Sequence, residues 1–319
     1  MKLLGTRPER RVVLAFAGAI LTGTILLALP ISATDSRIGL VDALFTATSA
    51  VCVTGLVVVD TATDFSRFGQ VVILLLMQMG GLGMMTLATA LLLSLASRLS
   101  FRHAILVTDS LTADHRLRPR SLVRAVVVTA LAFEGLGALL LFLRFRTTSP
   151  PGTALFDAVF HAVSAFCNAG FSTWSDSLVR YAGDVYVLVI MAVLVVSGGL
   201  GFVVISEVAT GLRKRSWRLS LHTRICLTAT AVLLAFGTGG YLLAESSNLL
   251  ADRGPLLAAT NAFFQAVTVR TAGFNTLDQT HLTATSVALT IMLMFIGACP
   301  GSTGGGIKTT TLAILVLAA

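Results

Sequence analysis

Apolar runs of two lengths alternate along this chain. Residues 12–30, 71–95, 125–143, 185–205 and 225–243 are each long enough to cross a hydrocarbon core of about 30 Å as a helix. A last apolar segment starts near Leu282 and is interrupted at 297–308 by GACPGSTGGGIK. The shorter runs have a different character. Residues 40–61, LVDALFTATSAVCVTGLVVVDT, are apolar at both ends but small and hydroxylated in the middle, at Thr46, Thr48, Ser49, Thr54 and then Gly55. This stretch is too short and polar to span a bilayer and too apolar for a surface loop. The pattern predicts a half-helix that enters the membrane and returns as extended backbone. Such backbone survives at that depth only where protein buries it or where it lines a water-filled path.

The short pattern occurs three times. DAVFHAVSAFCNAGFST begins at Asp157 and NAFFQAVTVRTAGFNT at Asn261. Each copy has Phe and, two residues on, Ala: Phe45/Ala47, Phe160/Ala162 and Phe264/Ala266. Each then has a hydroxyl residue (Ser49, Ser164, Thr268) and ends on a glycine (Gly55, Gly170, Gly273). The copies are read as repeats of one supersecondary unit. The fold expected is an all-α membrane protein made of span, pore loop, span units. Residues 1–97 form the first unit, 125–206 the second, and 225–319 a third with a broken last helix. Cytoplasmic connections cover 98–124 and 207–224.

Composition supports the membrane. The chain of 319 residues is 55% hydrophobic and only 12% charged, with mean hydropathy +0.88; about 25% charged is usual for a soluble domain. A net charge of +8 could suggest nucleic acid, but the basic residues cluster between apolar runs, as topology signals do, so no nucleic-acid partner is expected. Fifteen of the 23 Lys and Arg residues fall on one side of the predicted topology and seven on the side of the pore loops. The basic side is read as cytoplasmic, with the N-terminus there, in a multi-pass protein of the inner (plasma) membrane. Ten of the 15 acids fall on the outer side. An acidic vestibule that concentrates cations and plain solvated loop charges both fit that count. The four cysteines show no CxxC or metal-ligand spacing, and no Cys/His cluster or repeated acid pair suggests an enzyme. No covalent cofactor is implied.

A dehydrated cation can be held by backbone carbonyls that replace its water shell. Val53-Thr54-Gly55, Asn168-Ala169-Gly170 and Thr271-Ala272-Gly273 are the predicted filter strands, glycine tolerating the backbone that such carbonyls need. The half-helix before each strand aims its partly negative C-terminal end at the ion. Residues 297–308 do not fit GxxxxGK[ST] and follow a span rather than a strand, so a phosphate loop is excluded. Gly297, Pro300, Gly301, Gly304, Gly305 and Gly306 cannot sustain a helix, and Ser302, Thr303 and Lys308 supply polar atoms at depth. They predict a gating loop below the filter, one that changes flux and leaves selectivity alone. Lys308 is expected to hold the closed loop through carbonyls or an acid. The GGLG sequences at Gly80 and Gly198 are read as hinges or close-packing sites. Glu134 lies mid-span, as a buried hydrogen-bonding group or as an ion or proton site. Arg270 is expected to tie its loop down behind the filter, and His161 to pack behind its own.

SAVCVTGLVVVDT, SAFCNAGFST, VTVRTAGFNT and above all GACPGSTGGGIKTTT resemble the Ktr/Trk/HKT superfamily of potassium transporters, and within it the KtrB-type membrane subunits. The resemblance covers nearly the whole chain. It implies potassium uptake, often stimulated by sodium, and filter glycines at Gly55, Gly170 and Gly273. It further implies an intramembrane gating loop at 297–308, a homodimer, and a cytoplasmic nucleotide-binding regulatory ring. The family has four units around one pore, whereas this sequence stops at Ala319 within the third. That leaves open a truncated product, a piece of a longer reading frame, or a non-conducting structural subunit that needs a complement.

Overall fold

The computed structural model describes residues 8–34, 37–98, 119–215 and 219–318. Most of the predicted 98–124 connection therefore lies outside the described residues, as do 216–218 of the second connection and the N-terminal Lys2 and Arg7. The described residues form an all-helical protein. Its helices are α1 (Pro8–Leu27), α2 (Leu40–Cys52), α3 (Arg67–Arg98), α4 (Pro119–Phe145), α5 (Pro151–Phe166), α6 (Val185–Lys214), α7 (Leu221–Glu245), α8 (Pro255–Thr268), α9 (Ala284–Phe295) and α10 (Thr309–Ala318).

Four described helical stretches are long and apolar enough to cross a bilayer: Arg67–Ala90, Leu122–Phe145, Val185–Lys214 and Leu221–Glu245. Their outward faces are large and apolar, with Leu75, Leu131, Val193 and Leu243 among the exposed side chains. That arrangement suits lipid rather than water as the surrounding solvent. Local chemistry sets the helix ends. Pro151 and Pro255 open α5 and α8, where the missing N–H has no helical partner to lose. Asp184, Ser220 and Thr283 cap α6, α7 and α9 through their side-chain oxygens.

The short helices α2, α5 and α8 fall where the sequence predicts half-helices. They lie between longer ones: α2 packs on α1 and α3, α5 on α4 and α6, and α8 on α7 and α6. The repeated alanines explain the close fit. Ala47, Ala162 and Ala266 are fully buried. A β-carbon at Gly23 of α1 would meet Ala47 at 3.2 Å, and one at Gly237 of α7 would meet Ala266 at 2.8 Å. Small residues facing each other let apolar helices approach without a hydrophobic drive between them.

The two GGLG sequences behave differently. In α3 the helix stays continuous, and Gly80 packs directly on the Val51 carbonyl at the end of α2. In α6, Gly201 takes φ +82°, and the helix kinks there. Phe202 N–H donates to Gly301 O at 3.4 Å instead of to Gly198 O, its partner four residues back. Gly198 O accepts Thr303 N–H at 3.3 Å, and Gly199 O accepts Cys299 N–H at 2.9 Å. Helical bonds of α6 are thus exchanged for bonds to the 296–308 segment.

Candidate functional site

The first two short helices, α2 and α5, end in the same way, and α8 in a related one. The hydroxyl residue of the repeat supplies a main-chain carbonyl that turns the following strand. Thr54 N–H donates to Ser49 O at 2.9 Å, Ala169 N–H to Ser164 O at 2.7 Å, and Ala272 N–H to Thr268 O at 2.8 Å. Val53 and Asn168 adopt left-handed φ of 55° and 58°, and Gly55, Gly170 and Gly273 follow with φ of 73°, 75° and 81°. A residue with a β-carbon is costly at such φ, and glycine is not.

The three strands meet. A β-carbon at Gly55 would lie 2.5 Å from Ala169 O, and one at Gly170 would lie 2.5 Å from Ala272 O. At Gly273 the nearest atom would be Gly170 Cα, at 3.8 Å. Segments separated by more than a hundred residues thus run side by side at their glycines. The residues that follow the glycines line an open cavity of about 390 Å³, with Val58, Asp60, Ser172, Trp174, Ser175 and Asn275 in its wall. Asp60 is the carboxylate among these lining residues. Several other outer acids are engaged: Asp157 with Arg67 at 3.5 Å and Thr173 at 2.9 Å, Asp176 with Arg180 at 2.7 Å, and Asp184 with Arg144 at 2.5 Å. Glu245 receives Asn248 Nδ2 at 2.7 Å and Thr283 N–H at 2.9 Å. Asp157, Asp176, Asp184 and Glu245 thus serve as structural partners, and Asp60, which itself accepts Ala62 N–H at 2.8 Å, is the acid in the cavity wall.

On the opposite side, the residues before the glycines meet the segment between α9 and α10. Its base is closed by a bridge between Ile296 and Ile307, with Gly297 N–H donating to Ile307 O at 3.0 Å. Gly301, Ser302, Thr303 and Gly304 are buried, while Gly305 and Gly306 are exposed. Pro300 sits at the turn between Cys299 and Gly301 and is half-buried. Lys308 Nζ donates to Gly304 O at 2.6 Å across the loop. Arg270 Nη2 donates to Gly297 O at 3.1 Å, so this buried guanidinium joins the third strand to the start of the loop.

The tightest junction is at Asn168, and the sequence offered no signal for it. Thr271 Oγ1 donates to Asn168 Oδ1 at 3.3 Å, and Asn168 Nδ2 donates to Thr303 Oγ1 at 2.9 Å. Thr303 Oγ1 in turn donates to Phe166 O at 3.3 Å, the last carbonyl of α5. His161 is fully buried; its ring nitrogens pair with Asp157 O at 2.7 Å and Ser172 Oγ at 2.9 Å, and it stacks on Trp174. Glu134 is buried and accepts from Gln78 Nε2 at 2.9 Å and Cys167 Sγ at 3.9 Å. Cys52 is exposed and Cys167 buried, and neither is in a disulfide.

Residues 12–319 match the family model of TrkH, cation transport protein. The chain is 43% identical to the Ktr system potassium uptake protein B of Vibrio alginolyticus, across 99% of this chain and 70% of that one. It is 39% identical to the Ktr system potassium uptake protein B of Bacillus subtilis, across 97% of this chain and 69% of the relative. It is 35% identical to the potassium/sodium uptake protein NtpJ of Enterococcus hirae, across 97% and 69%. Among solved structures, the potassium transporter TrkH from Vibrio parahaemolyticus superposes with a TM-score of 0.76 at 23% identity. The match covers 99% of this chain and 62% of that chain, and it establishes the shared fold. These relatives are transport proteins and not enzymes, and the chain belongs to the TrkH family of cation transport proteins.

Proposed function

We propose that this protein carries potassium into the cell across the plasma membrane, through a filter made by the backbones of Val53-Thr54-Gly55, Asn168-Ala169-Gly170 and Thr271-Ala272-Gly273. The observation that carries this reading is the convergence of three left-handed glycines at one place, each turned by a carbonyl of the preceding half-helix. Main-chain oxygens in such strands can replace the water around a dehydrated cation. Potassium is the ion named for the Vibrio and Bacillus relatives, and sodium is named with it for the Enterococcus relative. Sodium is accordingly the candidate coupling or activating ion.

The gate in this reading is the 297–308 loop. It lies against the strands on the side away from the open cavity, and Lys308 and Arg270 pin its carbonyls. The units 1–97, 125–206 and 225–319 are arranged around the pathway as span, pore loop and span, with the basic connections and the N-terminus in the cytoplasm. Partner subunits follow from the same family: a second copy of the membrane subunit, and a cytoplasmic nucleotide-binding ring that acts on the loop. The word "system" in the relatives' names fits a transporter of more than one component. The test is growth of a potassium-uptake-deficient bacterium on low potassium. Expression of the protein should restore growth and potassium uptake. Normal membrane expression without uptake, with and without a co-expressed regulatory subunit, would contradict the reading.

A further inference from the structure

Every bond that holds the loop to the filter strands runs through a side chain, and the densest set is a relay of hydroxyl and amide groups. Thr271 on the third strand donates to Asn168 Oδ1, Asn168 on the second strand donates through Nδ2 to Thr303 of the loop, and Thr303 donates to Phe166 O at the end of α5. The donors and acceptors agree at every step. The amide oxygen accepts and the amide nitrogen donates, and the Thr303 hydroxyl accepts from one group while giving its proton to the next. Asn168 and Thr303 are buried, at 1% and 6% exposed, and Thr271 is half-buried. Removing the Thr303 hydroxyl takes a protein partner from the buried Asn168 amide and from Phe166 O. The steric fit is equally close: a β-carbon at Gly304 would lie 2.7 Å from Thr271 Oγ1.

We infer that Thr303 is a selectivity-determining residue. It sits on the gate, but through Asn168 it fixes the backbone of the second and third filter strands, so the loop position sets how well the filter tells potassium from sodium. This rests on the potassium-pathway reading above. It also revises the expectation that the loop alters flux alone. Asn168 holds a left-handed φ of 58°, a conformation that needs support from its surroundings, and the bond to Thr303 is part of that support. When the loop withdraws, Asn168 Nδ2 loses its shortest bond and keeps the longer ones to Phe166 O and Val195 O, both at 3.3 Å, so its amide is held less firmly, and with it the Thr271 bond to Oδ1. Thr303 acts through Asn168, and is a positioning residue in this sense.

The experiment compares two substitutions that separate the hydroxyl from the methyl. Thr303→Val keeps the branched shape and removes the hydroxyl. Thr303→Ser keeps the hydroxyl and removes the methyl. The readout is potassium and sodium tracer flux into liposomes at equal protein density. Thr303→Val should lower the potassium-to-sodium flux ratio by about fivefold, the scale of one neutral hydrogen bond, and Thr303→Ser should keep the parent ratio. A raised flux at the parent ratio in Thr303→Val, or the same change in both variants, would overturn the inference. If the parent carries no ion, the functional reading falls, and backbone hydrogen exchange of the filter strands still judges the coupling. Thr303→Val should then speed exchange over residues 168–173 and 271–274 while Thr303→Ser does not; no difference between the variants would reject it.

Discussion

Gly55 and Gly170 face a harder steric demand than Gly273. All three have positive φ, but a β-carbon at the first two would drive into the carbonyl of the neighbouring strand, whereas one at Gly273 would make only ordinary van der Waals contact with Gly170 Cα, at 3.8 Å. Gly55→Ser and Gly170→Ser should therefore lower the potassium-to-sodium uptake ratio more than Gly273→Ser, which carries only backbone strain of about 1–3 kcal/mol. Ion uptake by a potassium-uptake-deficient cell checks that order, and an equal effect at all three positions would remove the neighbouring carbonyls from the explanation. Glu134 makes a separate point at the same scale. Its carboxyl group is the acceptor for the half-buried Gln78 Nε2. Glu134→Ala should cost about 1–3 kcal/mol of stability by leaving that donor unmatched, while Glu134→Gln keeps an acceptor. Thermal unfolding in detergent distinguishes the two.

Among the elements, α6 and the 296–308 segment form a pair that share hydrogen bonds. The kink at Gly201 requires φ +82°, and a β-carbon there would lie 2.6 Å from Gly301 O. Gly201→Ala should penalise the exchanged arrangement by about 1–3 kcal/mol, favour a straight α6, release the loop and raise flux. Lys308→Ala should also raise flux, because it frees the Gly304 carbonyl. Because the loop also bonds Asn168 through Thr303, a loop freed in this way should lower the potassium-to-sodium flux ratio as flux rises. Tracer flux into liposomes measures both, and slower transport by either variant would make the loop a structural support instead of a gate. Much at this scale was legible in the sequence. Three in-phase repeats marked the half-helices, and Pro300 with its glycines marked the break. The difference between the two GGLG sequences was not legible. It depends on what each one faces, Val51 O for Gly80 and Gly301 O for Gly201, and facing partners far apart in sequence leave no local pattern. The Asn168–Thr303 bond was hidden for the same reason, since neither residue is unusual in its own segment.

At the scale of the whole molecule, long apolar helices surround a polar centre made of three short strands and one loop. Charge contributes less to this design than the sequence suggests. Counting acids on the outer side implied a broad attractive field, but ion pairs and helix caps occupy Asp157, Asp176, Asp184 and Glu245, and Asp60 alone remains in the wall of the open cavity. Potassium uptake should consequently change by less than about twofold when an impermeant salt shortens the screening length from roughly 30 to 8 Å. A steep loss of uptake rate would restore the broad field. The central claim is that a cation sits among the three backbone strands, and a crystal grown or soaked with rubidium in place of potassium tests it most directly. Anomalous scattering should show a rubidium peak within coordination distance of main-chain oxygens from residues 53–55, 168–170 and 271–273. Ordered density for all three strands with no peak between them, or with rubidium bound elsewhere in the protein, would contradict the claim.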